Sequence, residues 1–255
     1  MSSGRRHHAR RVLLAAAWLV LSCAAGVAGA AQFSLNQTRV HLNGGHAVET
    51  LVLANDEGQP VNFEIEVKRW RQDADGHWEL TPTDALVVHP LILSVPAGGQ
   101  ARVRVGTLSP SVGAEEAYRI ELQQLPDAVQ SETVHIKMLT RLSVPVFVQP
   151  SSAKPQPTLA VTAVDATAVQ LIVHNDGTGY LAPQDAKLRV LDAEGRAVHE
   201  DRLAIGYVLA GAQLKVAVKM PAGVCARANR IELTLDKPLP PLEASIAASV
   251  RQCGR

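Results

Sequence analysis

The chain has 255 residues, with 25 Lys and Arg against 24 Asp and Glu and a formal net charge of +1. Four of those arginines fall in the first thirty residues, which hold no acid, so the remainder carries 21 basic and 24 acidic groups, about −3. That balance argues against nucleic acid as the main partner, and an aromatic content of 4% leaves little for a sugar-stacking platform.

In chain order, "MSSGRRHHARR" is a cationic leader. "VLLAAAWLVLSCAAGVAG" is a short apolar core, and Ala28-Gly29-Ala30 is a small-x-small cleavage pattern. Residues 1–30 therefore read as a secretory signal peptide, the alternative being a membrane anchor. Cys23 then belongs to the apolar core.

From residue 31 onward helical periodicity is nearly absent. Short alternating runs end at turn signals. "FSLNQTRVHL" stops at Asn43-Gly44-Gly45, "AVETLVLAND" at Glu57-Gly58, and "VNFEIEVKRW" at Asp75-Gly76. "ALVVHPLILSV" stops at Pro96, "QARVRVG" follows, and "AYRIELQQL" stops at Pro126. Then comes "SETVHIKMLTRLSVPVFVQP", in which Val134, Ile136, Met138, Thr140, Leu142, Val144, Val146 and Val148 alternate as one strand. That run is about fifteen residues long, where strands are usually about 5–6. About seven strands in this stretch predict an immunoglobulin-like sandwich over 31–150.

"QPSSAKPQP" is rich in Pro and Ser and predicts a linker, with 151–157 as its boundaries. "TLAVTAV", "VQLIVHNDG", "AKLRVLDAEG", "AQLKVAVKM", "RIELTL" and "ASIAASV" then predict a second sandwich over 158–255. The fold class is all-β. Cys225 and Cys253 are either a disulfide or two free thiols, and export favours the disulfide, tying the last strand to the loop before Arg230.

Enzyme signatures are missing. No phosphate-cradling Gly-rich loop or nucleophile elbow occurs, and the histidines outside the signal form no ligand pattern with a thiol cluster, so neither metal nor cofactor is expected. Glu115-Glu116 reads as a solvated loop, and Trp70, Trp78 and Tyr118 as packing. Arg39, in the first strand, and Arg141, in the long run, are candidates to converge on a carboxylate in a cleft between the sandwiches, since guanidinium matches that group bidentately.

The chain resembles the periplasmic chaperones of chaperone–usher pilus assembly over its whole length after the signal. "FSLNQTRVHL" is similar to that family's first strand, "AYRIELQQLP" to its sixth, and "VHIKMLTRLSVPVFVQP" to its seventh. "VKRWRQDADGHWELTPTDALVVHPLILSVPAGGQARVRVG", "SVPVFV" and "GYVLAGAQLKV" are similar to the archaic, Csu-like subgroup. The resemblance implies a boomerang of two immunoglobulin-like domains, no enzymatic activity, and residence in the periplasm. It implies pilin subunits and an outer-membrane usher as partners.

The mechanism implied is donor-strand complementation. Val134, Ile136, Met138 and Thr140 would be lent to a pilin lacking its last strand, and Arg39 and Arg141 would anchor its terminal carboxylate. The second anchor departs from the family pattern. A lysine of better-known members falls on Ser143, "RLSVPVFV" carries two extra residues before Pro150, and Lys137 is the alternative. A two-sandwich adhesive or structural module is the competing reading. It would need aromatic or metal-bearing loops, which the sequence lacks.

Overall fold

The computed structural model describes residues 33–44, 46–109, 111–126 and 138–253. Ten strands occupy its first part: β1 Phe33–Leu35, β2 Val40–Leu42, β3 Val48–Asn55, β4 Val61–Gln72, β5 Trp78–Pro82, β6 Val87–His89, β7 Ile92–Val95, β8 Gln100–Gly106, β9 Glu116–Gln124 and β10 Arg141–Val148. One sheet runs β1-β3-β8-β6, the other β2-β10-β9-β4-β5 with β7 also on β4. Period-2 patterning decides which faces meet. In β4, Val61, Phe63 and Ile65 are buried while Asn62, Glu64 and Glu66 are exposed. They pack with Leu51 and Leu53 of β3, Val103 and Val105 of β8, Ile120 and Leu122 of β9, and Val144 and Val146 of β10. Each such side chain contributes about 1.5–3 kcal/mol on burial.

The second sandwich holds β11 Pro157–Asp165, β12 Ala168–Asn175, β13 Ala186–Leu191, β14 Ala197–Leu203, β15 Gln213–Lys219, β16 Arg230–Thr234, β17 Leu242–Ser245 and β18 Arg251–Gln252. Its sheets run β15-β12-β11-β18 and β14-β13-β16-β17 around Leu171, Val173, Leu188, Val190 and Ile231. Cys225 and Cys253 are joined by a disulfide with S–S 2.01 Å. Cys225 lies on a one-turn helix, Val224–Arg227, where the sequence reads as loop.

Two differences from the sequence expectations concern the site. The long run is not one strand throughout the described residues. Regular pairing begins at Arg141, and Met138–Thr140 precede it outside any strand. Thr140 is held to the end of β9 twice: its N–H donates to Gln124 Oε1 and its carbonyl accepts the Gln124 N–H, both at 2.9 Å. Val134, Ile136 and Lys137 lie outside the described residues, as does the 1–30 signal.

The second difference is at Glu115. It is part-buried rather than solvated, and its backbone N–H donates to Thr178 O of the second sandwich at 2.8 Å.

Candidate functional site: an arginine cleft beside an open strand edge

β10 pairs antiparallel with β9 along its whole length, Arg141 to Gln123 through Val148 to Glu116. Its other edge is covered only at Val146–Val148, by parallel pairing with Val40–Leu42 of β2. Among the described residues, no strand covers that edge from Arg141 to Pro145. Unpaired N–H and C=O groups there are a template for another strand. Directly ahead of it, Met138 is 89% exposed and Leu139 is also exposed. Met138 and Thr140 share the parity of Leu142 and Val144, so the face that fills the core downstream is the face offered outward upstream.

The register places two arginines at the closed end of this edge. Val40 is the Cα partner of Val146, so Arg39 lies one residue before the β2 ladder, beside Pro145. Pro145 is in turn the antiparallel partner of Arg119 on β9. Arg141 is four residues further along β10, about 13 Å away at strand rise. Its exposed side chain hydrogen-bonds Gln123 Oε1. Arg39 and Arg141 therefore do not converge; strand length separates them. The arginine that shares the cleft with Arg39 is Arg119.

Arg119 is only 5% exposed. Its guanidinium carbon sits 4.1 Å from the Trp70 ring centroid and 3.9 Å from that of Trp78. Two indoles thus hold one cation through their π faces. Trp70 is core packing, as expected, but Trp78 is half exposed and its work is to cover Arg119. Arg119 Nη1 donates to Ser143 Oγ at 3.3 Å, while its buried Nε has no partner. Burial pulls its pKa below the ordinary arginine range, partly offset by Tyr207 and Glu121; the group remains charged.

Arg39 faces the second sandwich. Its guanidinium carbon is 5.4 Å from the Tyr207 ring centroid, and its side chain hydrogen-bonds Tyr180. Burial opposes its charge, but Tyr180 and Tyr207 together outweigh that and raise its pKa. Among the described residues neither Arg39 nor Arg119 forms an ion pair with a carboxylate. The nearby acids are taken: Glu121 by Lys68 at 2.6 Å and Glu116 by Arg69 at 3.6 Å. Two buried or part-buried cations without an anion make a site for one.

The second sandwich supplies the far wall. Leu181 and Val208 exchange backbone hydrogen bonds at 2.8 Å, which sets Tyr180 and Tyr207 side by side. Buried Asn175 fixes both segments, its Nδ2 donating to Gly179 O, Val208 O and Leu209 O while Oδ1 accepts from Gln156 and Gly177. Gly177 is required there, because a Cβ would lie 2.3 Å from Lys154 O. Tyr180 stacks on Phe147 of β10, centroids 3.9 Å apart, and shares a 3.0 Å hydrogen bond with His41. His41 is kept neutral by burial and then by Arg39. Glu115 Oε1 accepts the Tyr180 N–H at 3.0 Å; burial pushes its carboxyl up to about 8.

The tip of the β4–β5 hairpin reaches the same wall. Asp75 pairs with Lys215, and Ala74 O accepts from Gln213 at 2.6 Å. Asp73, Asp75 and His77 bring three donor atoms within 4.8 Å of one another, but Asp75 is engaged by Lys215 and Asp73 by the turn and His77.

Comparison with known proteins was made against this geometry. Residues 32–154 match the family described as pili and flagellar-assembly chaperone, PapD N-terminal domain. No curated protein sequence matches the chain. Among solved structures, the class 5 fimbriae chaperone CfaA is 14% identical, with 85% of this chain and 99% of that one covered at a TM-score of 0.58. A chain of the CsuC–CsuE chaperone–tip adhesion subunit pre-assembly complex, from the archaic chaperone-usher Csu pili of Acinetobacter baumannii, is 18% identical, with 84% and 98% covered at 0.58. A chain of the Salmonella enterica SafA pilin–SafB chaperone complex is 16% identical, with 86% and 99% covered at 0.55. At such identities the likeness is one of fold, that of two-domain fimbrial chaperones.

Proposed function

We propose, from the premise that this chain belongs to the family of pili and flagellar-assembly chaperones, which are not enzymes, that it holds pilin subunits by donor-strand complementation in the periplasm and delivers them to an outer-membrane usher. The observation that carries the reading is the open β10 edge from Arg141 to Pro145, which ends at two arginines without a carboxylate partner. A client strand would add to that edge by β-augmentation. Val134, Ile136 and Met138 would fill its groove at about 1.5–3 kcal/mol each. Arg39 and Arg119, rather than Arg39 with Arg141 or Lys137, would receive the client's terminal carboxylate. That anchor fixes register, and register matters because a one-residue slip turns every donor side chain to the wrong face.

The domain limits follow the sheets: one unit through Val148, the other from Pro157. The test is co-expression with a pilin and measurement of pilin co-purified per mole of chaperone. Arg39→Ala and Met138→Asp should both lose the client while thermal melts stay near wild type. Normal capture by Arg39→Ala removes the anchor, and normal capture by Met138→Asp removes the donor strand.

A further inference from the structure

We infer that the second sandwich is part of the carboxylate anchor: Tyr207 positions both Arg39 and Arg119, and Gln72 holds Tyr207 in place. The inference rests on the anchor reading above and assigns residues to it that lie across the inter-sandwich boundary. One ring serves both cations. The Tyr207 centroid is 5.4 Å from the Arg39 guanidinium carbon and 5.8 Å from that of Arg119. Both separations are within the range of about 6 Å at which a ring face attracts a cation. The contact stabilises like charges near one another without occupying them with a carboxylate, so the N–H donors stay available.

Tyr207 lies in the non-strand segment between β14 and β15, and its own sandwich leaves that segment short of ladder partners. The missing bonds come from the other sandwich. Gln72, the last residue of β4, donates Nε2–H to Tyr207 O at 2.8 Å and accepts the Leu209 N–H on Oε1 at 2.8 Å. One amide side chain thus pairs with the 207–209 backbone in both directions, as a neighbouring strand would. The same Nε2 reaches Gly76 O at 3.1 Å, which ties the hairpin tip to the arrangement. Trp70, two residues before Gln72, packs edge-on against the Tyr207 ring at 5.0 Å and also stacks on Arg119. A change in the angle between sandwiches at Gln72 therefore moves the ring that both arginines share.

The test compares two probes on the full chain after signal removal. A fluorescein-labelled decapeptide of alternating valine and threonine is prepared as the free acid and as the C-terminal amide, and binding is read by fluorescence anisotropy. Wild type should prefer the acid. Tyr207→Leu should weaken the acid by about 5- to 30-fold, the weight of one to two cation–π contacts, and leave the amide unchanged. Tyr207→Phe, which keeps the ring, should stay within about twofold of wild type on the same ground. Gln72→Ala removes no aromatic surface and should reproduce the acid-selective loss, which covers the case in which Tyr207→Leu fails to fold. Variants that weaken both peptides equally, or neither, overturn the inference. A wild type that does not prefer the acid removes the anchor reading itself, a different failure.

Discussion

Replacing Arg119 by methionine keeps a long, unbranched side chain between Trp70 and Trp78 while removing the charge. Two stabilising contacts disappear, the cation–π pairs at 4.1 and 3.9 Å, together about 1–4 kcal/mol for partly desolvated geometry. Against that, the substitution removes a buried cation with no carboxylate and an Nε without a partner, a group whose desolvation costs about 1–3 kcal/mol. A thioether also packs well against indole edges. The terms nearly cancel, so the free protein should unfold within about 1 kcal/mol of wild type in urea, with an unchanged m-value. Client capture should behave oppositely. Truncating one side of a buried charge pair leaves the other unpaired, at about 2–5 kcal/mol, so affinity should fall by two orders of magnitude or more at about 1.4 kcal/mol per decade. Urea titration of the free chaperone and competition binding with a purified pilin measure the two. If Arg119→Met loses about 3 kcal/mol of stability by the same urea measure yet holds its client, the residue is a structural cation and the argument fails.

Three other outcomes are expected. Reducing Cys225–Cys253, which closes a loop of 28 residues' separation, should destabilise the second sandwich by about 3–4 kcal/mol while leaving the first sandwich's melt in place; equal loss in both would show that they unfold as one. Glu115 has a folded pKa raised to about 8 against a usual value of 4.5, so the unfolded chain binds fewer protons between those limits and stability falls as pH rises through that window. Glu115→Gln should therefore stabilise the protein at pH 8 by at least about 1 kcal/mol and by nothing near pH 4.5, and parallel wild-type and variant pH–stability curves would contradict it. Arg141→Ala, which removes an exposed side chain whose partner is Gln123, should leave client capture within about twofold by the weight of a surface contact; a large loss would return Arg141 to the anchor.

Much of the fold is legible in the sequence because alternation and turn chemistry act locally. Asn43-Gly44, Asp75-Gly76 and the Pro-rich "QPSSAKPQP" all fall between strands, and the sandwich faces follow from parity. Arg39 is legible as well, since "NQTRVHL" places a cation at the head of a short strand. Arg119 is not. In "AYRIELQQL" Ile120 and Leu122 mark one face as core, so Arg119 and Glu121 read as solvated. Both faces of β9 are in fact buried, because Trp70 and Trp78 fold across the second one. Only the register of β9 against β4, and of β5 beyond it, sets those indoles over Arg119, and no local pattern encodes it. Tyr180 and Tyr207 escape for a related reason. They sit in "HNDGTGY" and "GYVLAG", outside the strands, and converge only through the Leu181–Val208 bridge and Asn175.

The choice of partners around the two arginines is itself informative. A carboxylate beside Arg39 or Arg119 would stabilise the free protein more than a ring does, because charge-assisted hydrogen bonds are the stronger contacts. It would also fill the donors that a client needs. Aromatic faces attract the positive charge from above and below the guanidinium plane and leave the in-plane N–H groups open. The cost is visible at Arg119, whose Nε is buried and unpartnered. That unmet hydrogen-bonding potential is relieved when an anion enters, so binding energy is drawn from a deficit in the free state as well as from new contact. The indoles, the tyrosines and the Gln72 tie to residues 207–209 all preserve the deficit by holding the cations still. An arginine left to find its own partner in this region has Glu116 and Glu121 close by, and those two acids are kept occupied by Arg69 and Lys68. The lysine and arginine of β4 thereby protect the vacancy that the anchor requires.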